Sequence, residues 1–181
     1  MKICILATGQ SMTKALAESL RANYCIAISN AGIEFKDAKG VTHEAYAPWA
    51  QELCAQDHAW WRNYPQGHQF AGRKFSANKI VGVEQVVSDY VQRQSSSGVL
   101  ALERARIVGK EQGIEEIELH GYDNRGSHYF GPHSAPLNNT HPSRFNFFAD
   151  QLSRLGKVMK AEGFRIINRT PNSALRCFEV N

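Results

Sequence analysis

The chain has 181 residues, of which 43% are hydrophobic and 21% charged, the size and composition of one folded domain with a sizeable core. A formal net charge of +4 admits an anionic ligand, but lysines and arginines are scattered without a run of four, so nucleic-acid binding is allowed by charge and not indicated by it. The N-terminal apolar stretch, Ile3 to Thr8, is too short for a signal h-region or a membrane span, so a soluble cytoplasmic protein without a membrane partner is expected. Cys4, Cys25, Cys54 and Cys177 lie far apart, three of them in apolar segments, which points to reduced core thiols and against a disulfide framework or a metal site.

Residues 3–8 (ICILAT) form an apolar run with a turn signal behind it, the pattern of a strand buried on both faces in a parallel sheet. In GQSMTKALAESL, Ser11 or Thr13 caps a helix that carries Ala15, Leu16 and Leu20 on one face. YCIAIS, 24–29, is a second apolar strand, ending at Asn30 and Gly32. Ile33 to Tyr46 reads as a loop, ELCAQD (52–57) as a third strand ending on Asp57, 62–78 as turns, and KIVGVEQVV (79–87) as a fourth strand interrupted by Gly82.

The clearest local pattern is SSSGVLALERARIVGKEQGIEEIELHGYD, 95–123. Ala101, Ala105 and Val108 mark one face of a helix that Gly113 closes, and Ile117 and Leu119 lie in the strand that follows. Residues 121–144 are a long loop with three histidines and no periodicity, of a length that usually has a functional reason. Phe145, Phe148, Leu152, Leu155 and Met159 recur at helical spacing before Gly163, and FRIIN, 164–168, is a last strand. The alternation predicts an α/β, Rossmann-like, mainly parallel sheet with helices on both faces, as a single domain over 1–181.

In such a sheet ligands bind beyond the carboxyl ends of the strands, near a topological switch point. The groups expected there are Gly9, Gln10 and Ser11, then Asn30, Asp57, Gly121 and Asp123, and finally Asn168, Thr170 and Ser173. They are small and polar with few formal charges, which suits a sugar, a base and a phosphate better than a metal ion. Gly9 would let backbone approach the ligand, and helix starts at Ser11 and at Ser96, Ser97 and Gly98 would offer unpaired N–H groups to an anion. Each feature also has an ordinary reading: a tight turn with an N-cap, a polar loop, a strand-end aspartate capping a turn. Trp60 and Trp61 read as packing residues more than as a stacking platform. No cofactor and no metal are expected, because the spacings of His120, His128, His133 and His141 match no metal-binding pattern. His128 or His133 is the candidate general base, and the sequence does not choose between them.

Taken in order, ILATGQSM, CIAISNAG and SSGVLALERARIVGKEQGIEEIELHGYD resemble the nucleotide-binding half of the bacterial sialyltransferase-like fold. Over nearly its whole length the chain is also similar to small uncharacterised proteins of tailed bacteriophages and prophages, with APWAQELCAQDHAWW and INRTPNSALRCF as the matching segments. The resemblance implies nucleotide contacts by Gly9, Ser11, Asn30, Ser96, Ser97, Gly98, Gly121 and Asp123, and a location in the bacterial host cytoplasm. The expected ligand is a nucleotide or nucleotide-sugar. The expected function is nucleotide binding, with metal-independent glycosyl transfer as its extension and a non-catalytic phage accessory protein, sequestering a nucleotide signal or binding a host or virion protein, as the alternative. Departures from the sialyltransferase pattern are Gln10 where proline is usual and a much shorter acceptor region.

Overall fold

The computed structural model describes residues 1–133, 137 and 139–180. In chain order its elements are β1 (Ile3–Leu6), α1 (Lys14–Ser19), β2 (Tyr24–Ile28), a hairpin of β3 (Phe35–Lys36) and β4 (Thr42–His43), β5 (Glu52–Cys54), α2 (His58–Asn63), β6 (Arg73–Ser76) and β7 (Glu84–Gln85). The second half adds α3 (Ser97–Gln112), β8 (Glu116–His120), α4 (Pro142–Ala161), β9 (Arg165–Asn168) and β10 (Glu179–Val180). Eight strands form one sheet in the order β10-β9-β8-β1-β2-β5-β6-β7, and each neighbouring pair runs parallel. The fold is a Rossmann-like α/β sheet.

The alternation of side chains along each strand explains why both faces need helices. Ile3 and Ile5 of β1 join Ile117 and Leu119 of β8 in a core under α3 and α4, which contribute Leu100, Ala101, Ala105, Leu152, Leu155 and Met159. Cys4 and Leu6 point the other way, into a core with Cys25, Ala27, Leu53 and the two tryptophans of α2. The three strand cysteines are buried free thiols, whereas Cys177 is exposed. Among the described residues no helix is long and apolar enough to cross a membrane.

The chain leaves β1 toward β2, β5, β6 and β7, then returns through α3 so that β8 lies on the other side of β1. The switch point is therefore between β1 and β8. Helix α3 is fixed over the sheet by a buried fork: Arg104 Nε and Nη2 donate to the Glu52 carboxylate at 3.0 and 2.6 Å, and the guanidinium lies 3.8 Å from the Phe75 ring centroid. Tyr24 donates to the same carboxylate at 3.0 Å, so the buried charge has partners on a neighbouring strand and a helix. Gly113 closes α3 with φ of 67°, the left-handed geometry expected of a glycine cap.

Several boundaries differ from the sequence reading. The third strand stops at Cys54, and Asp57 sits at the N-cap of α2 without making a capping bond. The fourth strand is Arg73–Ser76, inside the segment expected to be turns, and 79–87 contributes only Glu84–Gln85. Val81 and Val87 are 92% and 87% exposed, so the β-branched run that suggested a strand buries little of itself. In α1 the face is set by Ala17, with Ala15 exposed, and Thr13 is the cap, accepting from Leu16 N–H.

Candidate functional site

A cavity of about 720 Å³ opens where the carboxyl ends of β1, β2, β5 and β8 meet the start of α3. It is lined by Ala7 to Gly9 and Gly121 to Asp123, by Ile28 to Asn30 with Asp57 and Trp60, by Gln94 to Gly98, where Ser29 Oγ donates to Ser97 Oγ at 3.4 Å, and by Asn124 to His128. Phe145, Phe148 and Leu152 of α4 supply an apolar wall.

At the switch point Gly9 is required by contact. A Cβ there would stand 1.9 Å from Asp123 Oδ2 and 2.2 Å from the Gly121 carbonyl oxygen, so only hydrogen fits. The freed space is used by Asp123, whose carboxylate accepts from Ser11 Oγ at 2.8 Å and, at longer range, from Ser11 N–H. Gly9 thus admits a carboxylate from β8 to the turn after β1, where the sequence reading had it admit a ligand. Ser11 does not cap α1, and α1 is a six-residue helix beginning three residues beyond Ser11, so the expected anion site at this turn is replaced by the Ser11–Asp123 tie. Gln10 lies outside the cavity lining, against Gly126.

The second helix start is different. Helix α3 has sixteen residues and its first turn lines the cavity. Ser96 is its N-cap, accepting from Val99 N–H at 3.3 Å, while Ser95 Oγ accepts from Gln92 N–H and Gln151 Nε2, and Ser97 Oγ accepts from Gln56 N–H at 3.0 Å. The three serine oxygens thus fix the helix start, Ser96 to its own first turn and Ser95 and Ser97 to neighbouring segments, by accepting. The donors at this end for a ligand include backbone: the N–H groups of Ser97 and Gly98 open the helix and have no intrahelical acceptor.

Asn30 is wholly buried and its Oδ1 accepts from Trp60 Nε1 at 2.8 Å, which fixes the amide so that Nδ2 is the free end. Among the described residues Nδ2 has no hydrogen-bond partner. Ser29, beside it, is held at φ of 49°, and Asn124 at 52°, so two of the non-glycine left-handed residues border the cavity. Trp60 thus serves the cavity as well as the core, and Trp61 is core alone, donating to Ala55 O.

The titratable groups at the cavity are Asp57, Tyr122, Asp123, Arg125, His128, His133 and Arg144. Crowding by protein in the concave site pushes the Asp57 carboxyl up, although nearby Arg144 and His58 pull the other way. His128 Nδ1 is 2.7 Å from Thr8 Oγ1, its ring stacks at 6° on Phe130, and burial, followed by the neighbouring His133, pushes it down to about 4. His133 is also pushed down by burial. Both imidazoles are neutral near pH 7, and His128 is a weak base.

Asn168, Thr170 and Ser173 do not line the cavity. They are buried behind the β8 end, where Thr170 Oγ1 accepts from Tyr122 N–H, Ser173 Oγ donates to Tyr122 O, and Asn168 holds Thr170 N–H and Leu175 O. The residues brought together at the cavity are Gly9, Asn30, Asp57, Ser96, Ser97, Gly98, Gly121, Asp123, His128 and His133. Sequence reasoning missed Arg144 and the apolar wall. The wall was hidden because Phe145 and Phe148 continue the stripe that α4 presents to the core; Arg144, which donates to Gln94 O, had no distinguishing signal.

Among the described residues one group could gather around a cation: Cys4, Glu118 and His120, with ligand atoms within 4.8 Å of one another on the α2 face of the sheet. Glu118 is already met there by Lys2 at 2.7 Å and Arg169 at 2.9 Å, two positive charges that oppose a third.

No family model and no curated protein matches the chain. Among solved structures it is similar to a mutant UDP-glucuronic acid 4-epimerase from Bacillus cereus in complex with UDP-4-deoxy-4-fluoro-glucuronic acid and NAD, at 11% identity and a TM-score of 0.36. The match covers 94% of this chain and 56% of that one, so the chain spans just over half the length of that structure. Resemblance at this level carries no argument about function.

Proposed function

We propose that the cavity is a nucleotide site, with the phosphate at the start of α3. The observation that carries this reading is that the two helix-opening N–H groups, Ser97 and Gly98, and buried Asn30, whose Nδ2 has no partner among the described residues, belong to residues lining the same cavity, a set of donors that suits phosphate oxygens. The base would lie along Phe145 and Phe148, and Asp57 or Asp123 would accept from ribose hydroxyls. The sequence resemblance to sialyltransferase-like proteins supports a nucleotide-sugar donor and a metal-independent glycosyltransferase, in which those donors stabilise the departing phosphate. Similarity to bacteriophage proteins supports a phage origin.

A second reading is a non-catalytic binder of the same ligand. The pull of His128 down to about 4 favours it, because that ring is a poor proton acceptor. Thermal-shift titration with cytidine and uridine mono- and diphosphates tests both: a ligand at 100 times its dissociation constant stabilises by about 2.7 kcal/mol. The account expects a shift that Asn30→Ala removes, and no shift with any of them would overturn it. Hydrolysis or transfer from a nucleotide sugar separates enzyme from binder.

A further inference from the structure

A second cavity, of about 190 Å³, lies behind the first and shares Pro132 and His133 with it. Three aromatic rings form part of its walls, Phe35 meeting Tyr64 and Phe130 edge-on with centroids 5.2 and 4.9 Å apart, and Asp37, held by His43, adds a carboxylate. Its polar groups include Asn63, whose Nδ2 is spent on Ala59 O so that Oδ1 is left, and Lys36, which makes no ion pair among the described residues. Aromatic faces with a few fixed polar groups suit a small hydroxylated ring, whose C–H face packs on the rings while its hydroxyls find the polar edge. The volume suits one sugar ring and excludes a nucleotide.

His133 stands between the two spaces and is held from two sides. Its N–H donates to Asn139 Oδ1 at 2.6 Å while Asn139 Nδ2 donates back to its carbonyl, and its Nδ1 is 3.2 Å from the Tyr64 hydroxyl. In the tautomer whose Nδ1–H donates to the Tyr64 oxygen, Nε2 carries the lone pair, and Tyr64 is then the positioning residue for a basic Nε2. His128 has no such place: it lines the first cavity only, against Thr8.

We infer that the second cavity is an acceptor subsite for a single hydroxyl-bearing ring of monosaccharide size, and that His133 is the general base joining it to the nucleotide cavity. The transfer step rests on the nucleotide-sugar reading above; the sugar subsite does not. The acceptor hydroxyl gives its proton to His133 Nε2 as its oxygen bonds to the donor's anomeric carbon. The bond from that carbon to the phosphate oxygen breaks, its electron pair leaves with the nucleotide, and His133 returns the proton to solvent.

The test is saturation-transfer NMR with the methyl glycosides of glucose, galactose and N-acetylglucosamine, alongside the nucleotide thermal shift on the same samples. Ala38 lies exposed on the second cavity and not on the first, so Ala38→Trp blocks one and spares the other. The inference expects a saturation-transfer signal from at least one glycoside, weakened at least tenfold by Ala38→Trp with any nucleotide shift unchanged. Asn63→Leu is the second variant should the first not fold, with the same expectation. In His133→Asn the glycoside signal persists while transfer falls at least a hundredfold. No signal from any glycoside, or a signal both blocking variants leave intact, overturns the subsite. A glycoside signal lost in the blocked variant without a nucleotide shift leaves the sugar subsite standing and overturns the nucleotide reading alone.

Discussion

Replacing Gly9 by alanine is the sharpest physical test of how the switch point is built. The backbone there is ordinary, since Gly9 is not among the residues of positive φ, so any cost comes from space. The new methyl would meet the Asp123 carboxylate at 1.9 Å and the Gly121 carbonyl at 2.2 Å, and the second contact is backbone that cannot rotate aside. Relief requires the ends of β1 and β8 to part. The bonds lost are Gly9 N–H to Gly121 O at 3.1 Å, a neutral bond of about 1 kcal/mol, and Ser11 Oγ to Asp123 at 2.8 Å, about 1.5–3 kcal/mol for a bond to a carboxylate. The sum is about 2.5–4 kcal/mol. With an m-value of about 2 kcal/mol/M, the urea midpoint falls by roughly 1.3–2 M. Asp123→Ala in the same background recovers only part of this, because the Gly121 carbonyl remains. A Gly9→Ala protein within about 0.5 kcal/mol of the wild type would refute the contact argument.

Arg104→Met leaves the buried Glu52 carboxylate without its fork and should cost about 3–5 kcal/mol in chemical denaturation. Burial raises the Glu118 carboxyl, but Lys2 and Arg169 outweigh it and hold the group below its ordinary value of 4.5; the stability it adds is present above that value and is lost as pH falls through the folded one, a loss that Glu118→Gln should flatten in acid-denaturation curves. For His128 the folded value near 4 lies below the ordinary 6.5, so the unfolded chain binds the proton first and stability falls between pH 6.5 and 4, by up to about 3 kcal/mol. The imidazole resonances of His128 should accordingly hold their neutral shifts down to pH 5, and titration near 6.5 would contradict the burial argument. Tyr64→Phe should lower transfer by His133 while sparing nucleotide affinity, read as a change in kcat against KM.

What the sequence disclosed follows its physics. Apolar runs such as Ile3–Leu6 and Tyr24–Ile28 announce buried parallel strands, and the capped, evenly striped α3 and α4 announce helices. Arg73–Ser76 was missed because its arginine and lysine look like turn, and Val81 misled because β-branching without burial does not make a strand. Small polar residues after strands marked several of the positions that line the cavity, since strand ends converge there whatever their roles. Their roles could not be read. Ser11, Asn168, Thr170 and Ser173 have the same composition as ligand contacts, and only their partners show that they hold backbone in place. The preference proposed for His133 over His128 rests on its place between the two cavities and on its contact with Tyr64, 69 residues away in sequence.

The central claim is that a phosphate sits at the start of α3, and the most direct measurement is amide NMR of the labelled protein titrated with cytidine and uridine monophosphate. The account predicts saturable shifts at the Ser97 and Gly98 backbone N–H groups and at the Asn30 side-chain amide, moving together with one dissociation constant. Shifts confined to other surfaces, or none up to millimolar nucleotide, would contradict it.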